Sequence, residues 1–431
     1  MKLLCLSNGH GEDLIALRIL QELQRRSIAA DLAALAIVGE GRAYTSHGIP
    51  LVGPTQSMPS GGFVYMDGQQ LWRDLRGGLL RLTWAQIQGV RSWAKSGGVI
   101  LAVGDIVPLL FAWCSGAAYA FVGTAKSEYY LRDERGWLPR RSGFERLESW
   151  SGSVYLPWER WLMSHPRCRA VFPRDTLTTQ VLQQWNIPAF DLGNPMMDGL
   201  APRGIQFAGI PGETSGEADA KEAGQKPLTF VLLPGSRVPE AYENWQVILQ
   251  VLAALVPVFQ WRKLLFLAAI APGLDLTKLQ RLAESYSWRA LSGQSPSAPS
   301  AALQFSYTEL TQLHSRLILT QSAFNDCLHQ ADFAIAMAGT ATEQFVGLGK
   351  PAITIPGRGP QFTPAFAEAQ TRLLGPAITL IQEPVEIVGA VQALLQNPAR
   401  LQLITENGPT RMGQPGAAAR IVECLIEKLN Y

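Results

Sequence analysis

Three short segments place glycine beside polar side chains in patterns that suit phosphate and sugar. The first is Ser7-Asn8-Gly9-His10-Gly11-Glu12, directly after an apolar run at 2–6. Gly9 and Gly11 at a strand-to-helix turn let the backbone approach a ligand closely and leave helix N–H groups for an anion or sugar oxygen. His10 and Glu12 stand where that strand would open, so either could contact substrate. The GxGxxG pattern is incomplete because position 14 is Leu, and a plain tight turn fits the same residues.

The second segment is Leu232-Leu233-Pro234-Gly235-Ser236-Arg237. Gly235 turns the chain, and the Ser236 hydroxyl and Arg237 guanidinium converge at a helix start, a set that suits a diphosphate. A βα turn with a solvent-facing Arg is the alternative. In the third, Met337-Ala338-Gly339-Thr340-Ala341-Thr342-Glu343, small residues admit a bulky ligand and Thr hydroxyls cap a helix. Glu343, one turn in, could accept both hydroxyls of a ribose. Thr340 and Glu343 also have capping-box spacing, which needs no ligand.

An acceptor hydroxyl would need a general base. Asp105 follows the apolar strand 99–103, where a charge is costly unless it faces an opening. It is the first candidate, with His10 and Glu12 in reserve; capping a helix from about 107 would equally explain it. The chain has no Asp-x-Asp pair and no His/Cys cluster. A metal on the diphosphate is therefore not expected, and helix dipoles with Arg237 would supply the positive charge.

The elements around these segments alternate between β-rich runs and helical patterns, as in parallel sheets covered by helices. Strands are expected at 2–6, 32–38, 99–103, 117–122 and 169–172, with helices at 12–26 and 175–185. A Gly-, Ala-, Glu- and Pro-rich stretch ends at Pro227, so 201–227 reads as a linker. A second series follows: strand 228–233, helix 239–255, strands at 264–270, near 317, at 332–336 and at 352–355. The stretch 292–300 is expected to be a surface loop, and a final helix runs over 417–429. The expected fold class is thus α/β: an N-terminal acceptor-side domain 1–200, a C-terminal nucleotide-binding domain 228–410, and a tail 411–431 that packs back on the first. Two Rossmann-like parallel sheets would face a central cleft.

Composition narrows the function classes. The chain has 431 residues, formal net charge +2, and 17% charged residues; mean hydropathy is +0.06. A balance this close to neutral argues against nucleic-acid binding. The uncharged run 106–125 is long enough for a membrane span, but Pro108, Ser115 and Gly116 divide it, so a short helix and a core strand are expected instead. Five cysteines without CxxC spacing suit a reducing compartment, and the apolar N-terminus is too short for a signal peptide. The expectation is a cytoplasmic protein.

The arrangement LPGSR…AGTATEQFVGLGKPAITIP resembles the nucleotide-sugar domain of GT-B glycosyltransferases. It is most similar to the lipid-A-disaccharide synthases of glycosyltransferase family 19, and more distantly to the peptidoglycan N-acetylglucosaminyltransferase. Asp191-Leu192-Gly193-Asn194-Pro195-Met196-Met197-Asp198 resembles the segment closing the family's N-domain. Gln361 through Gln370 falls where the family's glutamines contact the sugar, and Gly413-Gln414-Pro415-Gly416-Ala417-Ala418 resembles the start of its last helix. The acceptor half departs from the pattern at Gly104-Asp105-Ile106-Val107-Pro108 and Val122-Gly123-Thr124-Ala125-Lys126.

The resemblance implies a metal-independent, inverting hexosyltransferase with no bound cofactor. It would move a GlcNAc-type sugar from a UDP-sugar to a lipid-linked acceptor. Gly235, Ser236 and Arg237 would hold the diphosphate, Glu343 the ribose, and Gln361 the sugar, with Gly339, Thr340 and Thr342 lining the pocket. A UDP-sugar 2-epimerase uses the same architecture, and an idle nucleotide-sugar-binding protein at the membrane would also keep these donor motifs. Finally, 71–95 carries Arg73, Arg76, Arg81, Arg91 and Lys95 among Trp72, Trp84 and Trp93. It reads either as a basic amphipathic segment on an anionic membrane surface or as an ordinary helix on the first sheet.

Overall fold

Lys2–Ser7 forms β1 because five consecutive buried residues need partners on both faces of a sheet. The same holds for β2 (Asp31–Ala36), β3 (Val99–Gly104) and β4 (Tyr119–Gly123), and β7 (Cys168–Phe172) is buried except at Arg169. A short antiparallel hairpin, β5 (Arg132–Asp133) with β6 (Gly136–Trp137), lies between β4 and β7. The five long strands make one parallel sheet in the order β2-β1-β3-β4-β7. The computed structural model describes residues 2–26, 31–55, 79–207, 226–290 and 307–429. Segment 71–78, most of the expected linker (208–225), the expected loop at 292–300 and the His10 side chain lie outside that description.

The chain divides into two units, Met1–Asp198 with Met412–Tyr431, and Gly199–Arg411. In the first, alternation along β1 sends Leu3 and Cys5 to one core and Leu4 and Leu6 to the other. Helix His10–Arg25 covers the first core together with the final helix Ala417–Leu429, whose Ile421, Val422 and Leu425 are fully buried. Each of those side chains contributes at most about 1.5–3 kcal/mol, enough to make the tail part of this unit. Asp198 fixes its start: Oδ1 accepts from Gly416 N at 2.5 Å and Ala417 N at 3.1 Å, and Oδ2 from Ala418 N at 2.7 Å. The second core is covered by helices Leu79–Lys95, Ile106–Ser115 and Pro157–Ser164.

The membrane-length run resolves as expected into helix Ile106–Ser115, a left-handed turn at Gly116 (φ 84°), and β4. No helix among the described residues is long and apolar enough to cross a membrane. Helix Leu79–Lys95 packs as an ordinary helix, with Leu82, Gln86 and Val90 turned inward.

The second unit holds an eight-stranded sheet: β8 (Leu228–Leu233), β9 (Leu264–Ala269), β10 (Arg289–Ala290), β11 (Tyr307–Gln312), β12 (Ser315–Thr320), β13 (Phe333–Ala336), β14 (Ala352–Thr354) and β15 (Ile378–Leu380). Its order is β10-β11-β12-β9-β8-β13-β14-β15. Strands β12 through β15 run parallel, while β10 and β11 are antiparallel additions at one edge. The described start of the expected linker is held on this unit: Arg203, Gly204 and Ile205 all donate backbone N–H bonds of 2.9–3.0 Å to Asp326 Oδ1. A buried carboxylate recruits those amides, so the segment is a strap and not a free tether.

Candidate functional site

In the second unit β8 and β13 are neighbours, with Leu233 paired to Ala336, so their C-terminal ends open side by side. After β8 the chain turns at Gly235, whose φ of +95° favours glycine. It passes exposed Ser236 and half-buried Arg237 and enters helix Glu240–Leu255. After β13 it passes Met337, Ala338 and Gly339 and enters helix Thr340–Gly347. Two helix N-termini therefore follow short glycine-containing turns on adjacent strands, which suits an anionic group.

The N-cap of the second helix is Gly339, and it makes no side-chain cap bond. Thr340 is the first helical residue, so the capping-box explanation of Thr340 and Glu343 does not hold. Thr340 is exposed; Glu343 is buried, at 8% exposure. Thr342 corrects the expectation placed on it. Fully buried, its hydroxyl donates back to Ala338 O at 2.5 Å, so it braces the turn and does not line a pocket.

Three further residues shape this end of the sheet. Asn244 Nδ2 donates to Pro234 O at 3.0 Å and Met337 O at 3.4 Å, tying both turns together. Gln370 Nε2 donates to Ala338 O at 3.1 Å. The buried carboxylate of Glu240 accepts from Phe362 N at 2.7 Å and Gln361 N at 3.3 Å. It thereby holds loop 357–362, from which the side chain of Gln361 is exposed. A signal for Glu240 and Asn244 exists in the sequence: they share the stripe of Ala241, Trp245 and Ile248, where a polar residue must have a buried partner.

In the first unit, β1 and β3 are also neighbours, with Ser7 paired to Val103. Ser7 Oγ is used internally, donating to Asp13 Oδ1 at 2.5 Å and lying 2.6 Å from Tyr44 OH. The groups that reach the strand ends are Asn8, Glu12 and Asp105. Asn8 Nδ2 donates to both Asp105 oxygens, at 3.3 and 3.2 Å. Glu12 folds over the turn: a Cβ on Gly9 would lie 2.9 Å from its Oε2, and one on Gly104 3.3 Å from its Cγ. Glycine is favoured at position 9 by its φ of +155°, since the Glu12 carboxylate could swing aside, whereas a Cβ on Gly11 would meet nothing within 4 Å. His10 is the first residue of its helix.

Asp105 Oδ1 accepts from Val107 N at 2.8 Å, an N-cap of helix Ile106–Ser115, and the residue is half-buried. Burial pushes its carboxyl up, opposed by the bonds from Val107 and Asn8, with the Glu159 charge adding to the rise. Burial pushes Glu12 up as well, and the charges of Asp105 and Asp13 act in the same direction. Two neighbouring carboxyls raised together are suited to acid–base work nearer neutrality. No group of three or more His, Cys, Asp or Glu able to hold a metal occurs among the described residues.

No family model and no curated protein matches the chain. Solved structures do. MurG of Acinetobacter baumannii is 14% identical at a TM-score of 0.56, covering 99% of each chain. A glycotransferase of kitacinnamycin is 15% identical at 0.52, covering 99% of this chain and 98% of its own. UDP-GlcNAc 2-epimerase of Neisseria meningitidis, solved bound to UDP-GlcNAc, is 13% identical at 0.50, covering 99% and 100%.

The chain has the GT-B fold.

The GT-B likeness spans transferases and 2-epimerases alike, which reduces the resemblance to lipid-A-disaccharide synthases to the fold they share. Within that GT-B frame Gly235, Ser236, Arg237, Gly339, Thr340 and Glu343 gather at one end of the second sheet, with Gln361 presented by a neighbouring loop. Gly9, Glu12 and Asp105 gather at the corresponding end of the first.

Proposed function

We propose that this chain is an inverting, metal-independent hexosyltransferase that moves a GlcNAc-type sugar from a UDP-sugar to a lipid-linked acceptor. The observation that carries this reading is the pair of adjacent strand ends, β8 and β13. Each feeds a glycine-containing turn into a helix N-terminus, and a buried carboxylate, Glu343, sits one turn inside the second. Amides and the Arg237 guanidinium would stabilise the leaving diphosphate, Glu343 would take the ribose hydroxyls, and Gln361 would contact the sugar.

Asp105 would take the proton of the acceptor hydroxyl as that oxygen bonds to the anomeric carbon and the bond to UDP breaks. Its raised affinity for protons favours this role near neutral pH. Glu12, beside it, is the reserve base. The solved neighbour bound to UDP-GlcNAc supports the donor class, at the level of the fold.

The test is incubation with a panel of UDP-sugars and a total lipid extract, with product masses and released UDP recorded. Expected is UDP release matched by a lipid whose mass rises by one sugar residue. In Asp105→Asn this turnover should fall by about 10²–10⁴, with UDP binding retained. A C2-epimerised UDP-sugar without UDP release would assign the chain to the epimerases, and UDP binding without turnover would make it a binding protein.

A further inference from the structure

Two consecutive helices of the first unit bury charged side chains and leave large aromatic ones outside. In Gly143–Ser151 the buried residues are Glu148, Ser149 and Ser151, while Phe144, Leu147 and Trp150 face solvent at 53%, 41% and 83% exposure. In Pro157–Ser164, Glu159 and Arg160 are buried beside the core residues Leu162 and Met163, while Trp158 and Trp161 are 54% and 55% exposed. The inward charges have internal partners. Glu159 Oε2 accepts from Lys126 Nζ at 2.7 Å and Leu156 N at 2.8 Å, and Arg160 Nη1 donates to Ser151 O at 2.9 Å. The arrangement is therefore locked in place, and the side chains with most to gain from leaving water are held in it.

The surface is continuous with its surroundings. Trp161 packs edge-on to Trp113 at 5.5 Å, Arg160 stacks on exposed Trp185 at 3.8 Å, and Arg132 on exposed Trp137 at 3.9 Å. The charge of this stretch is one-sided: the exposed charged residues of 131–165 are Arg135, Arg140, Arg141 and Arg146 against Glu134. Tryptophan suits the boundary between hydrocarbon and headgroups, and arginine suits phosphate. A two-fold contact with a second copy would instead set these arginines against their own images.

We propose that helices Gly143–Ser151 and Pro157–Ser164 dock this unit on an anionic phospholipid bilayer, tryptophans entering the interface and arginines meeting lipid phosphates. The membrane face thus lies on these helices and not on the inward-packed apolar side of Leu79–Lys95. It stands whether or not the sugar chemistry proposed above is right.

The test is flotation of the full chain with vesicles of phosphatidylcholine alone or with phosphatidylglycerol, at low and high salt. Binding should require the anionic lipid and weaken with salt. Phe144→Ser/Trp150→Ser/Trp158→Ser should bind about tenfold or more weakly, because three large apolar side chains no longer leave water. Each of Arg140→Gln, Arg141→Gln and Arg146→Gln should cost about fivefold. The substituted side chains are exposed, so thermal unfolding and UDP binding should match wild type, which separates lost docking from lost folding or lost donor binding. Undiminished binding by the triple variant, absence of binding to either vesicle, or a lipid-free dimer that the triple variant abolishes would each overturn the proposal.

Discussion

Asn8 Nδ2 lies 3.3 and 3.2 Å from the two carboxylate oxygens of Asp105, so an amide after the first strand straddles an acid after the third. That bond holds the Asp105 carboxyl lower than burial alone would set it. Asn8→Ala removes a donor to the charged form, so the proton binds more tightly. The acidic limb of the kcat/KM profile should move to higher pH. A limb that stays in place would show that the titrating base is not Asp105.

Glu343, the proposed ribose ligand, lies buried one turn inside a helix that lacks a side-chain cap. UDP should raise the melting temperature of the wild type, by a stabilisation that reaches about 2.7 kcal/mol at a hundred times the dissociation constant. In Glu343→Ala that rise should be lost. An equal rise in the variant would remove the ribose role.

The Glu240 carboxylate accepts from the backbone amides of Gln361 and Phe362 and so anchors their loop. Glu240→Ala leaves buried amides without an acceptor and should cost about 1–3 kcal/mol of stability. Because the loop presents Gln361, donor KM should rise more than kcat falls. Chemical denaturation and donor titration together check this, and an unaltered KM would make the contact purely structural.

Burial pushes Glu148 from 4.5 up to about 7, with Lys126 opposing and the charges of Glu159, Glu128 and Glu145 reinforcing the rise. The folded state then holds this proton more tightly than the unfolded chain does. Its contribution to stability is complete below the unfolded value of 4.5 and is lost as pH climbs through about 7. Glu148→Gln is neutral throughout. The melting temperature of the variant should gain on that of wild type between about pH 5 and about pH 8, and a constant difference across that range would contradict the assignment.

The order of elements could be read from the chain because parallel strands buried on both faces appear as short apolar runs. Leu228–Leu233 and Ala417–Leu429 fall where the pattern puts them, and the helix at Thr340 starts where the small residues end. The strand-end residues of both units were visible for the same reason, since glycine and polar groups punctuate those runs. Hidden were contacts between residues far apart in sequence, such as Glu240 with Phe362 or Asp198 with Gly416, 218 residues on. No periodicity reports a carboxylate reaching a distant amide. Helical spacing in Gly143–Ser151 likewise reveals two faces but not which one turns outward, because the usual rule would bury Trp150 and expose Glu148.

Asp198 and the helix it caps have a consequence for how the polypeptide is made. The first core borrows Ile421, Val422 and Leu425 from the far end of the chain, so it cannot close until the ribosome has delivered them. The unit 199–411 is contiguous and can settle while still tethered. The first-made segment thus finishes last, and during that interval the bare flank of its sheet is what a chaperone would meet.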